Sequence, residues 1–281
     1  MMVAITTTLV KQLRDRTNAG LMKCKKALIE ANGDIELAID NLRKSGQITA
    51  ANKSSRITAQ GIILTKINHN SQYGVIIELN CETDFVAKDK IFKNFGEDII
   101  TTALNQKISS LEEIKSLFEE KRITLVDTVG ENINIRRINT LEGNLIVSYL
   151  HDTRIGVLLS ANNISQNLYL GKQIAMHIAA MKPKYIQVND IPSYIISREH
   201  KIQLNIAMQS NKPQKVIQQI VEGRMREFTR DISLLDQNFI IDPSQKVGQI
   251  LEHYNIIVKN FIRFEVGEWI EQEEHYKANE S

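Results

Sequence analysis

The sequence predicts an α+β fold: an N-terminal three-helix module, then a duplicated α/β core with small antiparallel three-stranded sheets and an inserted antiparallel helical hairpin. Three observations predict it. Short apolar repeats at helical spacing, separated by turn signals, fill the chain up to about residue 44. Two later passages each read strand, polar turn, strand, helix, and Gly74-Val75-Ile76-Ile77 matches Gly156-Val157-Leu158-Leu159 at a separation of 82. The second passage is followed by 190–235, which reads as two antiparallel helices joined at "SNKP".

The elements follow in order. Leu9, Val10 and Leu13 share one face of a first helix that ends near Arg16, and in "TNAG" Gly20 is able to take positive φ. Leu21, Cys24, Ala27 and Leu28 mark a second helix. Asp34 is placed to cap a third, whose inward residues are Ile35, Ala38, Ile39 and Leu42. "KSGQITAANKSSRITAQG" is small and polar and reads as a linker. "IILTKIN" and "YGVIIELN" form a hairpin through "HNSQ", followed by a helix through Phe92, Phe95, Ile99 and Leu104. In the second passage, 144–163 leads into the helix "GKQIAMHIAAM", and 132–138 and 261–266 complete a three-stranded sheet in each copy. Pro192 and Pro213 suit first-turn positions of the hairpin helices. The expected domains are 1–56 (module and linker), 57–143 and 144–266 (the two copies, the second carrying the hairpin), and the tail 267–281.

Composition excludes several function classes. With 35 bases against 33 acids, the net charge of +2 points to no global field for nucleic acid. The balance is uneven: residues 1–56 carry ten Lys/Arg against five Asp/Glu, and residues 265–281 six Glu against one Lys. Cys24 and Cys81 lie in apolar patterns with no CxxC, as small buried thiols in a reducing compartment do. No basic stretch precedes a long apolar core at the start, and no window approaches 18 apolar residues, so neither a secretory signal nor a membrane span is expected. A soluble, cytoplasmic protein is the expectation.

Enzyme signatures are missing from the sequence. It has no GxxxxGK[ST], GxGxxG, HExxH or GxSxG. Of six histidines, His69 and His151 fall in hairpin turns, and His177 falls on the apolar face of its helix, where a satisfied core position is expected. The basic N-terminal helices could touch RNA phosphates, but residues 1–56 contain no aromatic for base stacking. An RNA- or ribosome-associated protein and an enzyme pairing Asp84 with a histidine remain as competing readings.

"ELNCETDFVAKDK" (78–90) poses the sharpest local question. A strand-type run stops and presents an aspartate beside a phenylalanine before turning helical. Either Phe85 packs in the protein's own core while Asp84 caps the helix, or both face outward for a purpose.

"LRDRTNAGLMKCKKAL" (13–28) and "ELNCETDFVAK" (78–88) resemble the two signatures of the bacterial translation elongation factor Ts family. "GENINIRR", "IAMHIAAMKP", "IAMQSNKP" and "FIRFEVGE" resemble further stretches of it, in order, over essentially the whole chain. The resemblance implies a guanine-nucleotide exchange factor for elongation factor Tu, engaging its GDP-bound and nucleotide-free forms. No catalytic chemistry, cofactor or metal of its own is implied, and no direct nucleic-acid or membrane partner. The N-terminal module would be ubiquitin-associated-like and dock on the partner's GTPase domain. Thr83, Asp84, Phe85 and Val86 would intrude beside the partner's nucleotide and dislocate its Mg²⁺. His151, Leu13, Leu21 and Met22 would be further partner contacts, and the helical hairpin a dimerisation element, giving a dimer or 2:2 complex. Departures are small: Asn18 stands where glycine is common, the "NHNSQ" turn is about one residue longer than usual, and Glu82 replaces a frequent glutamine.

Overall fold

The computed structural model describes residues 5–17, 19–210 and 213–270. Asn18, the middle of "SNKP" and the tail beyond residue 270 therefore lie outside the described residues. The chain divides into two compact units. The first takes in the chain up to Lys66, Val75–Asn139 and the chain from Phe264; the second takes in Ile67–Gly74 and Thr140–Arg263.

In the first unit, α1 (Thr7–Thr17), α2 (Leu21–Glu30) and α3 (Ile35–Lys53) pack around Val10, Leu13, Cys24, Ala27, Leu28 and Ala38. Asp34 caps α3 as expected, its carboxylate accepting the Leu37 N–H at 3.1 Å. Gly20 precedes α2 with φ −59°, so the positive φ open to it is not used there.

The linker expectation is also corrected. α3 runs on to Lys53, and its small residues Gly46 and Ala50 are buried. They are small because α3 packs against α6 (Leu111–Val129): a Cβ on Gly46 would already sit 3.4 Å from Ile123. Composition that reads as flexible was a close helix crossing. Lys23 and Lys53 reach the C-terminal end of α6, Lys23 to the Asp127 carboxylate at 2.6 Å and Lys53 to the Gly130 carbonyl.

The first sheet has the order β1 (Gln60–Ile67), β2 (Tyr73–Cys81), β3 (Ile133–Glu142). The central strand β2 is buried at every position, which matches its nearly continuous apolar run. After β2 come α4 (Asp84–Lys88) and α5 (Lys90–Gln106), the latter burying Phe92, Phe95 and Ile99. The sequence patterns assign no element to α6. It opens on a Ser110 cap and closes on Gly130, which takes φ +78° and supplies a left-handed C-cap.

In the second unit, β4 (Ile146–His151) and β5 (Ile155–Asn162) pair antiparallel with His151 opposite Ile155, and the sheet order is β4-β5-β6 with β6 spanning Ile257–Glu265. α7 (Leu168–Met181) follows β5, as α5 follows β2. The hairpin is present as α8 (Ser193–Met208) packed along α9 (Gln214–Ile232). Pro192 and Pro213 sit one residue earlier than expected, as the N-caps of these helices. α10 (Val247–His253), also unassigned from sequence, precedes β6.

His177 is a satisfied core residue, as expected. It is fully buried, its Nδ1 accepting the Ile240 N–H at 3.2 Å and its Nε2 lying 2.9 Å from the Gln237 side-chain oxygen. Both cysteines are buried. Among the described residues no helix is long and apolar enough to cross a membrane, and no group of three or more His, Cys, Asp or Glu is placed to hold a metal ion.

Candidate functional site

The corner between β2 and α5 is built from short-range rules. β2 ends at Cys81, and Thr83 stays extended (φ −123°, ψ 159°) to cap α4, its hydroxyl oxygen accepting the Val86 N–H at 3.5 Å. α4 lasts five residues because Asp89 breaks it at ψ 140° and starts α5 instead, accepting the Ile91 N–H at 2.7 Å. In so short a helix only Ala87 reaches the interior.

Phe85 therefore points to solvent with 81% of its surface exposed. Leaving such a ring in water forgoes about 2–3 kcal/mol of burial energy. Of the two local readings, packing of Phe85 in the core is overturned, and the cap is Thr83 rather than Asp84. Asp84 is exposed beside it and takes a 2.7 Å ion pair from Lys88 one turn on. That hydrogen bond from Lys88 holds the Asp84 carboxyl below its ordinary range, so it is ionised at neutral pH. Val86 is half-buried.

Behind the corner the chain is polar and closely paired. Glu131 accepts the Thr83 N–H at 3.0 Å and the Thr83 hydroxyl at 2.6 Å. Glu82 accepts the Asn132 N–H at 2.6 Å, and Asn132 in turn donates to the carbonyls of Ser54 and Arg56. Burial pushes the neighbouring Cys81 thiol up to about 12, so it remains protonated and unreactive, donating to the Thr83 carbonyl. Glu131 was missed from sequence. It lies 48 residues from Thr83, and no local spacing rule joins the two.

The remaining sequence-derived residues fall in two places. Leu21 and Met22, in the first turn of α2, are 54% and 72% exposed, whereas Leu13 is wholly buried in the module's own core. His151 stands exposed at the tip of the β4–β5 hairpin. Asp152 and Thr153 take φ +48° and +57° within the three-residue turn 152–154, in which the Arg154 N–H donates to the His151 carbonyl at 2.9 Å. The His151 Nδ1 is 3.2 Å from the Tyr149 hydroxyl, and the two rings stack. His151 belongs to the second unit; the other seven residues belong to the first.

As a class, the fold and this corner define a duplicated α+β scaffold that holds an aromatic ring and a carboxylate out to solvent on a capped helical turn. The family model described as Elongation factor TS matches residues 82–268. The chain is also 58% identical over 273 residues to Elongation factor Ts of Sodalis glossinidius (strain morsitans), covering 97% of this chain and 95% of that relative. The same identity and coverage hold for Elongation factor Ts of Yersinia pestis (strain Pestoides F) and of Yersinia pseudotuberculosis serotype O:1b (strain IP 31758). The chain belongs to the elongation factor Ts family, and with it to the factors of translation elongation.

Proposed function

We propose that this protein is a guanine-nucleotide exchange factor for elongation factor Tu, promoting GDP release by inserting Thr83–Val86 beside the partner's Mg²⁺ and nucleotide. The observation that carries the reading is the outward Phe85 with ionised Asp84 on a braced corner, in a chain of this family. Burying the ring in a partner would recover the apolar energy forgone in the free protein. A Mg²⁺ shell tolerates little distortion, and a carboxylate beside it competes for its water and oxygen partners.

The energetics assign the rest of the surface a role. A nucleotide held at nanomolar affinity is bound by about 12 kcal/mol. Linkage makes the effect reciprocal, so bound GDP weakens the exchange factor as much as the factor weakens GDP. Two side chains do not supply such a coupling alone; a broad interface drives binding and the corner distorts the site. Leu21 and Met22 offer exposed apolar surface for that interface on the 1–56 module. His151 offers a second contact from the 144–266 copy, and Leu13 supports the module from within. The α8–α9 hairpin is the proposed dimerisation element. The cytoplasm, where translation elongation proceeds, is the proposed location.

The test is release of a fluorescent GDP from purified elongation factor Tu, with and without this protein. Wild type is expected to accelerate release, and the Asp84→Ala/Phe85→Ala variant to lose most of that acceleration. A folded wild-type protein that leaves the release rate of a competent partner unchanged would sink the proposal.

A further inference from the structure

We propose that Glu131 is the positioning residue of the Asp84–Phe85 corner, acting through Thr83; this deepens the exchange-factor reading and rests on it. Two adjacent pairs face each other across the corner. From the β2 side, Glu82 accepts the Asn132 N–H; from the β3 side, Glu131 accepts the Thr83 N–H and hydroxyl. The two carboxylates thus exchange backbone donors between the end of one strand and the approach to another, a clasp made 48 to 50 residues apart in sequence.

The Glu131 half does more than close the clasp. The Thr83 hydroxyl has one proton, and it donates that proton in a hydrogen bond to Glu131 at 2.6 Å. The hydroxyl oxygen is then left purely as an acceptor toward the Val86 N–H, which is the cap of α4. A charged acceptor polarises the chain of bonds, so the carboxylate strengthens the cap from behind. α4 is a single turn, too short to hold its own direction, and it carries the two exposed side chains. The direction of Asp84 and Phe85 is therefore set where Thr83 is held.

Glu131 is itself fixed from the other side. It directly follows Gly130, the left-handed residue that ends α6, whose carbonyl is bound by Lys53 of α3. Asn132 adds bonds to the carbonyls of Ser54 and Arg56, and Arg56 reaches Glu82 at 3.4 Å. The end of α3, the end of α6 and the corner are thus tied into one polar cluster with Glu131 as the member that touches the corner.

The test pairs two readouts on Glu131→Gln, Thr83→Val and the double variant: hydrogen exchange of the Val86 and Ala87 amides in the free protein, and saturation kinetics of fluorescent-GDP release from elongation factor Tu. Loss of a helix cap predicts amide exchange about tenfold faster in Glu131→Gln, and a saturating release rate about tenfold lower with the half-saturating concentration within about twofold of wild type. Thr83→Val is expected to match it, the double variant to be no worse than either single, and Thr83→Ser to stay close to wild type. Should Glu131→Gln fail to fold, Thr83→Val carries the same two readouts. Unchanged amide and release rates in Glu131→Gln would overturn the inference. So would faster amides with an unchanged release rate, which leaves a merely structural clasp, or losses that multiply in the double variant. If wild type itself does not accelerate release, the exchange-factor reading falls, and the amide rates still decide whether Glu131 holds the corner.

Discussion

The two copies of the core share a plan and differ at the corner after the central strand. In the first, β2 leads into a capped turn that holds Phe85 out to solvent. In the second, β5 leads through Asn163, at φ +61°, to Ile164, which is buried against α7. A Cβ on Gly171 of α7 would come within 2.6 Å of the Ile164 side chain, so that glycine is the seat into which the second corner packs. The first corner displays Phe85 on a separate capped turn; the second packs Ile164 inward and exposes Leu168 and Tyr169 on the first turn of α7 itself.

The helices behind the corners differ too. Phe92 and Phe95 of α5 correspond, at the same separation of 82, to Ile174 and His177 of α7. Phe92 and Ile174 are both fully buried. Phe95 meets Phe118 edge to face at 6.0 Å between ring centres, while His177 is held by Gln237 and the Ile240 N–H. The first copy fills this position with an aromatic pair, the second with a hydrogen-bonded imidazole that pins the 237–240 segment.

Four experiments test how far the two copies differ. The largest effect is expected from truncating the matched core positions: Phe92→Ala should cost about 3–5 kcal/mol and Ile174→Ala about 2–5 kcal/mol in denaturant unfolding. A loss under about 1 kcal/mol at either site would end their equivalence. Next, giving the first corner the residues found 82 positions later, as Asp84→Gln/Phe85→Asn, should lower the saturating rate of GDP release about 100-fold, or about 2.7 kcal/mol, with unfolding little changed. Retained activity would move the effect from the corner to the wider surface.

The third concerns pH. Burial lowers the folded-state pKa of His177 below its ordinary 6.5. The unfolded chain therefore binds a proton that the folded chain refuses. The stability is fully present above pH 6.5 and falls as pH drops from there toward the folded pKa. His177→Phe, which installs the residue of the first copy, should flatten the melting temperature between pH 7 and pH 5 while lowering it throughout, because Gln237 and the Ile240 N–H lose a partner. An unchanged slope would assign the acid sensitivity to other groups. The smallest effect is expected from Phe85→Ala alone, which should alter unfolding by less than about 0.5 kcal/mol because the ring is exposed. A larger loss would show that the ring supports its own fold.

Much was legible in the sequence because it is written at short range. Val/Ile-rich runs between polar turns located the paired strands, helical spacing located α1, α2, α5, α7 and the hairpin, and the repeated Gly-Val motif marked the two central strands. Asp34 advertised its own cap. The family signatures supplied the proposed role of 83–86, which spacing alone left open between core and surface.

The rest depends on partners far along the chain. Gly46 and Ala50 look like linker residues until α6 packs on them. Glu78 has the pattern of an exposed strand position, yet it is wholly buried, paired with Arg136 and Arg137 and accepting the Gly267 N–H. A buried carboxylate is tolerable only with such partners, and they come from β3 and from the chain after β6. Glu131 is the same lesson at the corner. Where strands and helices form and where the chain turns is set at short range, because those follow from neighbours within a few residues. Which polar groups meet, and which way Phe85 points, only the assembled fold could decide, because hydrogen bonds and burial join residues that spacing cannot.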